Sequence, residues 1–241
     1  MAEKVQATPV VVEKNETLER AKGFWARYSK PIIIVGSVII LVLGGYYGYK
    51  HWIQIPKEEK ASEAIFPAEK LFVKVTSGSS FGQDTVSMIL NGSKPQNVTG
   101  LLSIISKYSG TDAANRAEYM AGACYLHLKQ FDKAISHLKD FDGNGANQVQ
   151  SKAYTMLGHA YAEQKKTDDA LSYYKKAAEV DSEDEGIASE ALFMAGGYAE
   201  AIGKTEEAIK LFQQLKDKYG ASQRVMSGDA DKYLAKLGVT K

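Results

Sequence analysis

The chain has 241 residues, 44% of them hydrophobic, and sets 30 Lys and Arg against 29 Asp and Glu, a formal net charge of +1. That balance excludes a polyanion such as nucleic acid as the main partner, and the single cysteine, Cys124, excludes an intramolecular disulfide and reads as a small buried helix residue. The charge is unevenly placed: residues 1–31 carry six basic and four acidic groups, while residues 57–241 carry 23 basic and 25 acidic.

Residues 1–15, MAEKVQATPVVVEKN, have no helical periodicity and contain Pro9, so they read as a disordered tail. Residues 16–31 place Leu18, Ala21, Trp25 and Tyr28 on one helical face. Two readings stay open there: an amphipathic lead-in helix lying on a membrane surface, or an extension of the following helix, broken or bent at Pro31.

From Ile32 to Tyr49 there are 18 residues without a charge, and Lys50 and His51 interrupt briefly before Trp52 and Ile53. A helix rises about 1.5 Å per residue, so residues 32–53 cross a hydrocarbon core of about 30 Å. Trp25 and Tyr28 precede one end of this run, and Tyr46, Tyr47, Tyr49 and Trp52 gather at the other, as interfacial aromatics do. The run ends in bulky aromatics, where a cleaved signal peptide ends in small residues, so it reads as a retained single-pass anchor. Arg20, Lys22, Arg27 and Lys30 lie on the N-terminal side, against Lys50, Lys57 and Lys60 beyond it. The positive-inside bias therefore predicts a cytoplasmic N-terminus and, in a bacterium, a periplasmic domain on an inner-membrane anchor.

Residues 57–116 predict a degenerate first helical hairpin. Ala61, Ala64, Ile65, Ala68, Leu71, Phe72 and Val75 fall at three-and-four spacing, with Pro67 expected to bend or break the helix; Val98, Leu101, Leu102, Ile105 and Tyr108 mark a second helix. Between them, TSGSSFGQDTVSMILNGSKP predicts a short helix or an extended piece. Asn91-Gly-Ser93 and Asn97-Val-Thr99 match the glycosylation acceptor, which in a bacterium are ordinary turn residues.

Residues 117–220 repeat themselves. Aligning the segments that begin at Ala117, Lys152 and Glu190 matches Gly122, Gly158 and Gly196; Ala134, Ala170 and Ala208; and Leu138, Tyr174 and Phe212. Tyr125 and Tyr161 also match, with Ala199 in the third place. The glycines recur after 36 and then 38 residues, close to the roughly 34-residue period of tetratricopeptide repeats. Three matched registers resemble that family, which implies paired antiparallel helices brought close by Gly and Ala, with the aromatic positions filling the space between repeats. Asp181-Ser182 stands where the motif favours proline, and Gly203 and Phe131 stand at its turn positions. Residues 221–241 predict a capping helix and tail through Val225, Met226, Tyr233, Leu234 and Leu237. The fold class is thus all-α: one N-terminal transmembrane helix followed by a helical-hairpin solenoid.

The anchor, the helix EEKASEAIFPAEKLF, the segments LNG and LLSIISKYSGT, and repeats opening AEYMAGACYLHL together resemble a bacterial, Bacteroidetes-like family of membrane-anchored tetratricopeptide proteins. More distantly the layout resembles the ancillary periplasmic subunit of the Sec translocon. The resemblance implies protein partners (translocon, chaperone or envelope-complex subunits) and a scaffold or adaptor role in protein export or periplasmic chaperone networks. The alternative is a structural subunit of a large envelope complex with no client.

Repeat proteins of this kind bind through the first helix of each hairpin. By motif register that face presents Arg116, Tyr119, Ala123, Leu126 and His127, then Lys152, Thr155, His159, Ala162 and Glu163, then Glu190, Phe193, Gly197 and Glu200. Family members that clamp a C-terminal carboxylate use Lys, Asn and Arg where this chain has Tyr119, Ala123, Glu190 and Met194, so a clamp is not expected. His51, His127, His137 and His159 are dispersed, the DSEDE run reads as a solvated loop, and no GxxxxGK[ST], GxGxxG or HExxH occurs. No catalysis, cofactor, metal or small-molecule substrate is expected.

Overall fold

The computed structural model describes residues 16–78 and 82–239, so the N-terminal tail expected over residues 1–15 lies outside the described residues. Contacts divide the chain into two units, one ending at Ile55 and the other beginning at Pro56.

The first unit is helix α1, Glu16–Tyr49, followed by a π-helical turn, Lys50–Gln54. It is the one described helix long and apolar enough to cross a membrane, with a mean hydropathy of 2.0 over its most apolar window and none of that window buried. Ile40 and Leu41 are 70% and 74% exposed. A soluble protein buries such residues. α1 is not broken at Pro31, although proline lacks the N–H that would bond the carbonyl of Arg27.

The second unit begins with α2, Ile55–Ser77, which runs on past Pro67. Ala61, Ile65, Ala68 and Val75 bury one stripe of it, which holds the helix across the missing proline bond. The following stretch is more elaborate than an extended linker. Helix α3, Gln83–Asn91, leads into a two-stranded antiparallel ribbon, β1 (Gly92–Ser93) and β2 (Val98–Thr99), and then α4, Leu101–Lys107. Gly92 and Asn97 adopt left-handed backbone in this ribbon; of the asparagines in the acceptor-like triplets, Asn97 lies in its turn and Asn91 is the last residue of α3. Helices α2 to α5 share one apolar cluster in which Ile65, Ile89, Leu101 and Ile104 are fully buried.

Three helical hairpins follow. They are α5 (Asp112–His127) with α6 (Phe131–Asp140), α7 (Asn147–Glu163) with α8 (Thr167–Glu179), and α9 (Glu185–Ala201) with α10 (Thr205–Lys218). Each first helix starts five residues ahead of the aligned segments, at Asp112, Asn147 and Glu185. Polar caps set two of these starts: Thr111 Oγ1 accepts from the Ala114 N–H at 3.1 Å, and Asp184 Oδ1 from the Ile187 N–H at 3.0 Å.

The aligned glycines explain the hairpin spacing. A Cβ on Gly122 would lie 2.5 Å from Leu138 Cγ, one on Gly158 2.6 Å from Tyr174 Cε1, and one on Gly196 2.9 Å from Phe212 Cε1. The large side chain of each second helix therefore fills the hollow over the glycine of its own first helix. It then reaches onward: Tyr174 lies 5.0 Å from Tyr198, and Phe212 lies 4.8 Å from Tyr233, centroid to centroid. The aromatic positions thus close each hairpin as well as the seam between neighbours. Tyr161 stacks on Tyr173 within its own hairpin and receives Lys139 from the preceding one, 5.5 Å from its centroid.

The turns share one geometry. Lys129, Lys165 and Gly203 are left-handed, and the next residue's N–H bonds back five residues, from Gln130 to Tyr125, Lys166 to Tyr161 and Lys204 to Ala199, at 2.9 to 3.0 Å. Helices α11 (Gln223–Met226) and α12 (Asp229–Lys236) complete the second unit, burying Ala230 and Leu234. A second apolar cluster runs from Leu138 to Leu234.

Candidate partner-binding surface

The first helices α5, α7 and α9 lie side by side, and an open cleft of about 370 Å³ runs between α7 and α9. From α7 it is lined by Gln148, Ser151, Lys152 and Thr155; Asp184 at the α9 N-cap and Gly186, Ile187, Glu190, Ala191 and Met194 from α9 form the other wall. Ser151 is buried and donates its hydroxyl to the Ala177 carbonyl at 2.9 Å, which ties the cleft floor to α8. Ile187, Ala191 and Met194 supply apolar surface, while Lys152 lines the α7 wall and Asp184 and Glu190 the other. The lining suits a chain with an apolar side and polar groups of both signs.

Of the residues expected on the binding face, the structure brings Lys152, Thr155 and Glu190 together in this cleft. His159 and Glu163 stand one and two turns further along α7. His159 is exposed as a residue, but its Nδ1 lies 2.8 Å from the buried Tyr174 hydroxyl, as when a phenol donates to neutral imidazole. Burial lowers the pKa of His159, and the Glu163 carboxylate partly opposes that shift.

The flanking hairpins are engaged internally. Arg116 Nε donates to Glu69 Oε1 at 2.9 Å, which pins α5 to α2. Tyr119 is half-buried with its ring 5.3 Å from Phe141, and burial raises its phenol pKa. Leu126 is half-buried against the α2–α5 cluster, and His127 is exposed at the end of α5. On the third hairpin, Arg224 grips Glu190 with Nε and Nη2 at 2.8 and 2.7 Å and lies over the Phe193 ring, 4.4 Å from its centroid. Tyr233 meets Phe193 edge-on at 5.4 Å, and Lys236 pairs with Glu200 at 2.7 Å. The C-terminal helices therefore occupy the third-hairpin part of the expected face, and the open stretch narrows to α7 and the near wall of α9.

Gln148, Asp184 and Ile187 were missed from sequence because the aligned segments begin five residues inside each helix. The available signals were the capping pattern at Asp184 and the spacing of Ile187 from Ala191. No group of three or more His, Cys, Asp and Glu among the described residues could hold a metal ion. Cys124 is fully buried, and burial pushes its thiol pKa up to about 12, which leaves it inert.

No curated protein gives a match to the chain. A family model does: the tetratricopeptide repeat-like domain matches residues 22–228, a span that takes in the apolar helix, the ribbon segment, all three hairpins and α11. On that match and on the three hairpins closed over equivalent glycines, the chain belongs to the tetratricopeptide repeat-like domain family.

Proposed function

We propose that the chain is a single-pass scaffold of the bacterial inner membrane, anchored by residues 32–53, whose periplasmic repeats bind protein partners in export or envelope folding. The observation that carries this reading is the open α7–α9 cleft, with Lys152 and Thr155 on one wall and Glu190 on the other, in a chain that also bears an apolar helix with no buried window. The basic excess at Arg20, Lys22, Arg27 and Lys30 supports a cytoplasmic N-terminus. Resemblance in layout to the ancillary subunit of the Sec translocon supports an export role.

A photocrosslinking residue at Lys152, introduced into the full chain in intact membranes, tests the scaffold role. An adduct with an export or folding component is expected there and not from Gln213, which is exposed on α10. Adducts of equal strength from both positions would remove the cleft from the argument. Protease added to spheroplasts should cut the repeats while leaving the tail protected; the reverse pattern would overturn the orientation.

One observation favours the alternative of a structural subunit without a client: the third hairpin's share of the face is already taken by Arg224, Tyr233 and Lys236. Hydrogen exchange separates the two. At a client-binding cleft the amides of α7 exchange at the rate that helix opening sets and slow further when partner is added, whereas at a structural one they stay slowed until the complex is stripped.

A further inference from the structure

Residues 18–30 of α1 carry an apolar face of their own, distinct from the span. At 3.6 residues per turn, Leu18, Ala21, Phe24, Trp25 and Tyr28 fall within an arc of about 120°. Leu18, Phe24 and Trp25 are 55% to 57% exposed, and the Phe24 and Tyr28 rings lie 4.9 Å apart along the arc. The same winding puts Lys22 at one edge of the arc and Arg20 and Arg27 at the other, with Arg27 lying 5.8 Å from the Tyr28 ring centroid. Lys22 is paired only loosely, with Glu19 at 3.5 Å and both side chains well over half exposed, so the pair holds it weakly.

If this segment continued along the membrane normal beyond Ile32, it would carry Leu18 about 20 Å past the hydrocarbon edge and lift Trp25 and Phe24 about 10 Å or more from it. Pro31 stands immediately before Ile32. It withdraws one backbone bond from α1 and crowds the carbonyl of Arg27, so bending costs least there. An apolar arc bordered by cations, joined to a span through a proline, has the pattern of a helix lying in a lipid interface.

We infer that residues 18–30 form an anionic-lipid-binding helix in the leaflet from which the span emerges, with the arc seated among the acyl chains and Arg20, Lys22 and Arg27 against phospholipid phosphates. The inference rests on reading residues 32–53 as a membrane span. Charge complementarity and continuity with the span select lipid as the occupant.

The sequence holds two tryptophans, so W52F leaves Trp25 as the sole emitter and W25F leaves Trp52. Each full-length variant is reconstituted into vesicles of phosphatidylcholine, with or without phosphatidylglycerol, that contain lipids brominated either near the headgroup or deep in the chain. In phosphatidylglycerol vesicles Trp25 is expected to shift to the blue and to lose most of its emission to shallow bromines. Both effects should weaken in pure phosphatidylcholine and in the R20Q/K22Q/R27Q variant. Water-like, iodide-accessible emission from Trp25 while Trp52 is quenched by lipid would overturn the inference and leave the anchor standing. Failure of Trp52 to be quenched as well would overturn the anchor and the inference with it. Blue-shifted Trp25 emission untouched by bromine would mean that protein covers the arc, and equal quenching in both lipids would remove the anionic preference; either overturns the assignment.

Discussion

The three hairpins and the segment before them both depend on glycine, but for opposite reasons. In α5 to α10 a glycine admits a side chain, Leu138, Tyr174 or Phe212, into the surface of its partner helix. In the α3–α4 segment Gly100 admits backbone: a Cβ there would lie 2.3 Å from the Asn91 carbonyl carbon and 2.4 Å from the Gly92 nitrogen. A side chain can tilt away from an added methyl, whereas two backbone segments joined by the β1–β2 ribbon cannot. Packing tolerance should therefore differ between the two regions even though each substitution adds one carbon.

The sharpest test is Gly100→Ala, expected to cost about 3 kcal/mol or more of unfolding free energy in urea titrations of the full chain in detergent, at the upper end of overpacking effects. A loss below about 1 kcal/mol would show that the ribbon yields and would erase the contrast. Next is Gly122→Ala, expected to cost about 1–3 kcal/mol, with Gly196→Ala costing less because its nearest ring atoms stand further off. Pairing Gly122→Ala with Leu138→Ala should be less damaging than the two single effects added, since the clash goes with the leucine; strict additivity would mean that the contact is not the cause.

The turns allow a gain. Lys129 and Lys165 hold left-handed backbone where the third hairpin has Gly203. Lys129→Gly and Lys165→Gly should each stabilise by about 1 kcal/mol or less in the same titration, because glycine's greater unfolded-state entropy offsets part of the relieved strain.

The smallest effect concerns pH and sets the second hairpin apart from its neighbours. His159 occupies the register position of Ala123 and Gly197, where its Nδ1 meets the hydroxyl of the buried Tyr174. Its pKa is lower folded than unfolded, so the unfolded chain takes up the proton first. Its contribution is complete above the unfolded value of about 6.5 and is lost as pH falls through the folded one. His159→Ala should flatten that acid slope in pH-dependent unfolding; an unchanged slope would assign it to other groups.

What could be read from sequence follows the same division. The hairpin register was legible because one glycine requirement recurs three times, in step with Ala134, Ala170 and Ala208 on the facing helices. Gly100 meets an equally strict requirement once, against residues eight to ten positions away, and a single instance leaves no period to detect. The β1–β2 ribbon was hidden for the same reason: two residues per strand are too few for an alternation. The helix starts at Asp112 and Glu185 were missed because alignment follows the apolar positions, whereas a start is set by caps such as Thr111 and Asp184. On the candidate face, the Lys152, Thr155 and Glu190 positions followed from register. The closure of Glu190 and Phe193 by Arg224 did not, since it depends on a residue 34 positions beyond Glu190.

That closure also fixes a number. A solenoid of identical units has no internal reason to stop, because the last face it exposes resembles the one each unit was built to cover. Here α12 packs on α10, its Tyr233 meeting Phe212 as Tyr198 meets Tyr174, while Arg224 beside it holds two carboxylates, Glu190 and Asp229, and one ring, Phe193. A fourth hairpin could be appended only by evicting it. The count of repeats is thus written in α11 and α12, outside the repeats themselves.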